Sequence, residues 1–242
     1  MAGLLMTRPQ AAAERFVSGL PAAVTAQLQV IYAPLLDIQP VPVAVDLDGI
    51  RGVIFTSANG VTTGSTQVVR RDLPVFCVGE RTADAAKQAG WTVKVCAPDA
   101  DTLVSRVLKL QPSAPILHLR GQHAQGKVAA RLTAGGIRCE EQITYNQRLL
   151  QLSPQAISAL AAQKEMIVPL FSPRTARQFA DLYPTGAVVH LIALSDAVAA
   201  PLKALNYKGL QICSEPNAKA MARAVAAVAA QLDLLEGGGA AQ

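Results

Sequence analysis

Hydroxyl and arginine side chains recur in this chain directly after short apolar runs. They stand at Thr7-Arg8, Thr56-Ser57-Ala58, Gly79-Glu80-Arg81-Thr82, Arg120-Gly121, Ser172-Pro173-Arg174 and Ser195-Asp196. Each group sits where a strand gives way to a helix. A helix N-terminus presents unpaired N–H groups and the positive end of the helix dipole, so it suits carboxylates and phosphates. Arginine and lysine beside such ends add charge for the same ligands. The same residue types also serve as ordinary caps: Ser57, Ser172 and Ser195 stand where an N-cap is wanted, and Pro173 falls at the first helical position. Together the groups predict several anion-binding helix ends converging on a ligand cleft.

Other chemistry is sparse. The three histidines are His118, His123 and His190. Two of them lie inside strands, and no Cys/His spacing suits zinc. There is neither a GxSxG elbow nor a GxGxxG turn. Gly121 to Val128, GQHAQGKV, has the spacing of a phosphate-binding loop, but Val128 replaces the hydroxyl residue that would hold magnesium. Tyr145, next to Asn146, stands where the chain is expected to cross between domains; a buried structural tyrosine is the ordinary reading, but at this place it would open onto the cleft. Trp91 is read as a packing residue.

These strand ends need a scaffold, and the sequence supplies it twice. GVIFTSANGV (52–61) and PVFCVGERTA (74–83) are matched by IVPLFSPRTA (167–176) and VVHLIALSDAVA (188–199). Ser172 lies 115 positions after Ser57, and Asp196 lies 115 after Arg81. Leu4 to Arg8 resembles Ile116 to Arg120 at an offset of 112. Duplication at fixed spacing is the mark of a repeated structural unit. Strands alternating with helices imply parallel sheets with right-handed crossovers. Strand–helix–strand units at 4–37 and 116–145 combine with three strand–helix pairs at 52–110 and 166–234. The unit at 52–110 joins that at 116–145, which leaves the first to join the last. The expected fold is therefore two parallel-sheet, flavodoxin-like α/β domains. Domain 1 is discontinuous (1–37 and 150–236), domain 2 is inserted (46–145), strands at 38–45 and 146–149 link them, and 237–242 form a disordered tail. Asp101 is expected to cap the helix that follows it.

Composition agrees with two such domains. The chain has 242 residues, 51% hydrophobic and 16% charged, with a net charge of +5. The basic residues are scattered, without the runs or aromatic interleaving of a nucleic-acid surface. The four cysteines form no CxxC pair and read as reduced thiols. No run approaches the roughly 20 apolar residues of a membrane span, and MAGLLMTRP turns polar too soon for a signal peptide. A soluble, cytoplasmic monomer is expected.

With these pieces in order, the chain resembles the uroporphyrinogen-III synthase family over nearly all its length. LLMTRP, VIFTSANGV, VGERTA, the LRG…GK pattern at 119–127, ITYNQ (143–147), LFSPRTA (170–176) and SEPNAKAMARAV (214–225) carry the resemblance. It implies the two-domain fold with a discontinuous first domain. It also implies closure of hydroxymethylbilane, a linear tetrapyrrole with eight carboxylates, to uroporphyrinogen III for haem, sirohaem and cobalamin. Ring D is inverted through a spiro intermediate and water is lost, with neither cofactor nor metal. The resemblance casts Tyr145 as the proton donor and Thr56, Ser57, Thr82 and Ser172 as substrate contacts. Ala58, Arg8, Arg81, Arg120, Lys127, Arg174 and Ser195 complete the expected binding set. Where the family's second-copy motif often has a glycine followed by hydroxyl residues, this chain has Ala193-Leu194-Ser195-Asp196, which makes Asp196 a poor neighbour for a carboxylate. Transient contact with hydroxymethylbilane synthase would hand over the labile substrate. The rival reading is a non-catalytic two-domain binder of a small anionic ligand.

Overall fold

The computed structural model describes residues 1–162, 164–184 and 186–238. Its elements run β1 (Ala2–Met6), α1 (Gln10–Ser18), α2 (Ala22–Ala26), β2 (Leu28–Tyr32) and β3 (Leu36–Pro40), then β4 (Gly52–Phe55), α3 (Ala58–Thr66), β5 (Pro74–Val78), α4 (Glu80–Gln88), β6 (Thr92–Ala97) and α5 (Ala100–Leu110). They continue with β7 (Ile116–Gly121), α6 (Val128–Ala134), β8 (Cys139–Leu149), α7 (Pro154–Ala161), β9 (Met166–Leu170) and α8 (Pro173–Leu182). Last come β10 (Val189–Ala193), α9 (Asp196–Ala199), a 3-10 turn at Ala200–Leu202, β11 (Gly209–Ile212) and α10 (Ala218–Gly238).

The chain divides into two compact units, one of Met1–Asp37 with the residues from Leu149 onward, the other of Ile38–Arg148. The first holds a five-stranded sheet in the order β2-β1-β9-β10-β11, with parallel pairing throughout. Its strands are apolar on both faces because helices cover both. Leu5, Val168, Leu170 and Leu191 pack with Ala156, Leu160, Ala176 and Phe179 from α7 and α8. On the opposite face Leu4, Met6, Ile167 and Ile192 pack with Phe16, Met221 and Val225 from α1 and α10. Phe179 is 0% exposed. Phe179→Ala is expected to cost about 3–5 kcal/mol, read as a lower midpoint in urea unfolding.

In the second unit the sheet order is β3-β8-β7-β4-β5-β6. Val53, Phe55, Val75, Leu117 and Leu119 face α3 and α4, and Trp91 joins them, its indole N–H donating to Ser65 Oγ at 2.8 Å. Ile54, Phe76 and Ile116 face Leu103, Val107, Val128 and Leu132 of α5 and α6. Val128, at the would-be magnesium position of the GQHAQGKV loop, is thus a core residue. Setting β3 aside, the two sheets have the same strand order, with β7-β8 corresponding to β1-β2 and β4-β5-β6 to β9-β10-β11. Both are the 2-1-3-4-5 order, although the second unit enters it at a different strand.

Several boundaries differ from the sequence expectation. The segment 146–149 is not a separate linker strand: β8 runs unbroken to Leu149, and β3 ends at Pro40, leaving 41–47 without regular structure. Residues 38–45 and 146–148 cluster with the second unit. Asp99, not Asp101, caps α5, its carboxylate accepting from Thr102 N–H at 2.7 Å. Asp101 lies in the first turn and pairs instead with Arg131 at 2.6 Å. α10 extends through 237 and 238, where a tail was expected; the rest of that tail, 239–242, lies outside the described residues.

Candidate functional site

In an open parallel sheet the ligand crevice lies beyond the strands' carboxyl ends, at the point where strand order reverses. Here that point falls between β7 and β4 in the second unit, and between β1 and β9 in the first.

The second unit's switch point is the more built of the two. Ser57 caps α3, its Oγ accepting from Gly60 N–H at 3.0 Å. The same oxygen lies 2.9 Å from the Tyr145 hydroxyl. A register shift places the tyrosine: Arg120 pairs with Ile143, but Gly121 pairs with Tyr145. The extra residue is Thr144, whose hydroxyl meets Thr63 Oγ1 of α3 at 3.0 Å. Bulges of this kind re-aim side chains, and this one sets the phenol ring against Gly121. A Cβ on Gly121 would come within 2.4 Å of the ring's Cζ. Tyr145 is 4% exposed, as buried as a structural tyrosine. Burial pushes its pKa above the usual phenol value, with the Ser57 hydrogen bond working the other way. The hydroxyl is therefore a proton carrier at neutral pH.

Thr56 Oγ1 lies 3.1 Å from His118 Nε2. His118 is 1% exposed, and its other ring nitrogen stands 3.5 Å from Glu141 Oε1. Burial lowers its pKa to about 4; Glu141 opposes this and Arg120 adds to it. An unfolded histidine titrates near 6.5, so the unfolded chain binds the proton first as pH falls. Stability at neutral pH is then lost between about pH 6.5 and 4, by on the order of 3 kcal/mol. Urea midpoints measured across that window should fall with pH in the wild type and fall less in His118→Gln.

Arg120 does not point a bare charge outward. Its guanidinium donates to the carbonyls of Gly121 (2.9 Å) and Gln122 (3.2 Å) and to Glu141 Oε2 (3.0 Å). Ala58 opens α3. Arg81 and Thr82 lie in the first turn of α4 after Gly79, whose φ of 81° is open to glycine at little cost. Thr82 is buried and Arg81 exposed. Lys127, also exposed, adopts a left-handed φ of 44° before α6.

In the first unit Arg8 stacks over Phe171, 3.9 Å from the ring centroid. Ser172 caps α8, accepting from Thr175 N–H at 3.1 Å and donating to Thr175 Oγ1 at 2.9 Å. Arg174 follows one residue into the helix. Ser195 occupies the N-cap position of α9 without a side-chain capping bond. Arg8 and Ser172 thus share the β1/β9 switch point, and Ser195 lies one strand over.

The uroporphyrinogen-III synthase HemD family model matches residues 22–223. The chain belongs to the uroporphyrinogen-III synthase family. Its structure is similar to uroporphyrinogen-III synthetase from Helicobacter pylori, with a TM-score of 0.66 and 16% identity over 94% of this chain and 100% of that one. A uroporphyrinogen III synthase mutant from Thermus thermophilus gives a TM-score of 0.52 at 14% identity, over 96% and 99%. At such identities the two solved synthases speak for the fold. No curated protein matches the chain.

Sequence reasoning named His118 and Gly121 without their roles, and missed Glu141 and the Thr63–Thr144 pair. The one signal it offered was a histidine amid the apolar run ILHLR, a polar side chain at a position whose neighbours are core.

Proposed function

We propose that this chain is a uroporphyrinogen-III synthase, a cyclising hydro-lyase of tetrapyrrole biosynthesis. It closes hydroxymethylbilane to uroporphyrinogen III, inverting ring D through a spiro intermediate with loss of water. The observation that carries this reading is the buried Tyr145 hydroxyl, bonded to the capping Ser57 at the strand-order switch point of a family member. Ser57 Oγ already accepts from Gly60 N–H. If its own O–H donates to the tyrosine oxygen, the tyrosine proton is left for the leaving hydroxyl of ring A. That hydroxyl departs as water and leaves an azafulvenium cation, the N-protonated azafulvene. Ring D attacks it through its substituted carbon, and the spiro intermediate fragments and recloses inverted. The proton that ring D sheds on regaining aromaticity balances the one donated. This chemistry needs no metal or cofactor from the protein. Holding one conformer matters as much as acid catalysis, because direct closure competes.

The substrate's carboxylates are assigned to Arg8, Arg81, Lys127 and Arg174, with Thr82, Ser172, Ser195 and the N-terminal N–H groups of α3 beginning at Ala58. Arg120 contributes through its charge while remaining tied to Glu141. A cytoplasmic monomer that receives substrate transiently from hydroxymethylbilane synthase completes the proposal. Among the described residues no helix is long and apolar enough to cross a membrane.

The test couples porphobilinogen and hydroxymethylbilane synthase to the purified chain and separates isomers I and III. Addition of the chain is expected to shift the product of hydroxymethylbilane closure from isomer I, which forms unassisted, to isomer III. No shift by a folded sample would leave a non-catalytic binder of an anionic ligand.

A further inference from the structure

Thr56, next to Ser57, makes a contact apart from the Ser57–Tyr145 pair. His118 Nε2 lies 3.1 Å from its hydroxyl. His118 Nδ1 is buried, makes no hydrogen bond and stands 3.5 Å from Glu141 Oε1. The other Glu141 oxygen is held by Arg120 at 3.0 Å. These three side chains line a cavity of about 230 Å³ together with Gln122, Gln125 and Lys127. In the first copy the position 112 residues earlier is Met6, wholly buried and apolar. The strand therefore does not need a histidine there to fold.

A neutral imidazole carries one N–H. If it sits on Nε2, the Nδ1 lone pair faces a carboxylate that Arg120 keeps from turning away, and the two repel. If it sits on Nδ1, the N–H dipole points at that carboxylate and Nε2 becomes an acceptor. The Thr56 O–H must then donate inward to Nε2, and only the lone pairs of Oγ1 remain for a ligand. Carboxylates offer acceptors alone and gain nothing from such an oxygen. A pyrrole N–H does. We propose that His118 and Glu141 are positioning residues that make Thr56 an acceptor for a pyrrole N–H, so that this strand end holds a ring and not a side-chain carboxylate. The ring assignment rests on the synthase reading. The burial that lowers the His118 pKa keeps the ring neutral at working pH, against the pull of Glu141 and alongside Arg120.

The first measurement needs no substrate. In ¹⁵N-histidine-labelled protein at pH 7, two-bond ¹⁵N–¹H correlations report the tautomer, and His118→Gln identifies the His118 signals. Nδ1–H with a bare Nε2 is expected. An Nε2–H tautomer overturns the proposal whether or not the chain makes uroporphyrinogen III. In the second, Glu141→Gln removes the charge from a partly exposed side chain. It should move His118 toward Nε2–H and raise KM for hydroxymethylbilane roughly three- to tenfold, the worth of one hydrogen bond, with little change in kcat. Glu141→Asp should recover part of both. An unchanged tautomer and KM in a folded Glu141→Gln would overturn the positioning role. If wild-type protein forms no isomer III, the synthase reading and the ring assignment fall together, while the tautomer still decides how Thr56 is oriented.

Discussion

Tyr145→Phe is expected to lower the rate of uroporphyrinogen III formation roughly a hundredfold, the low end of what a positioned general acid contributes. The ring and its packing against Gly121 survive the change. Only the hydroxyl is lost, and with it the 2.9 Å bond to Ser57. The stability cost should stay near 1 kcal/mol, because Ser57 keeps its bond from Gly60 N–H. The two readouts are isomer composition in the coupled assay and the unfolding midpoint. Product should drift toward isomer I, since substrate not closed by the protein closes without inversion. Undiminished isomer III would remove Tyr145 from the mechanism.

Gly121→Ala should be nearly as damaging to activity and worse for stability, although the residue has no side chain to take part. Its new Cβ would stand 2.4–2.8 Å from Cζ, Cε2 and the hydroxyl oxygen of Tyr145. The tyrosine is buried and cannot swing aside freely, so the ring must shift, carrying its hydroxyl off Ser57 and straining the bulge at Thr144. Overpacking of this kind costs about 1–3 kcal/mol. In the double variant Gly121→Ala/Tyr145→Phe the activity losses should not add, because both act through one hydroxyl. Additive losses would mean that Gly121 matters for another reason, and the expected coupling would be wrong.

Much of the fold was legible because it is written in local alternation. Apolar runs such as LLM, VIF and IVPLF, each followed by a hydroxyl residue, mark strand ends and helix starts without reference to anything distant. The duplication then fixed how the pieces group. The helix starts at Ser57 and Ser172 were legible for the same reason, since capping acts over three residues. The pairs that build the site were not. Ser57 and Tyr145 are 88 positions apart, and they meet only because one extra residue in β8 shifts the register. A bulge has no reliable local signature when its residues are ordinary strand formers. The roles of His118 and Glu141 were hidden because their side chains share a face of the sheet only once β7 and β8 are paired. Arg120 looked like a free cation because its partners are two nearby carbonyls and that same glutamate. The α5 cap was misplaced by two residues because Asp99 and Asp101 both suit a first turn, and the choice depends on backbone angles that the sequence does not display.

The strand β3 has a consequence for handling the second unit by itself. It lies along β8 at the margin of the sheet, where Val41 N–H donates to the Thr144 carbonyl at 2.9 Å and Gln67 clasps the Val41 carbonyl at 3.0 Å. A fragment begun after Pro40 would expose the eleven-residue β8 as a bare margin of unpaired N–H and C=O groups, an invitation to pair with another copy. Fragments that include residues 36–45 should stay soluble and monodisperse, whereas those starting at Asp46 should self-associate through β8. The crossing segment is thus a guard against aggregation as well as a tether.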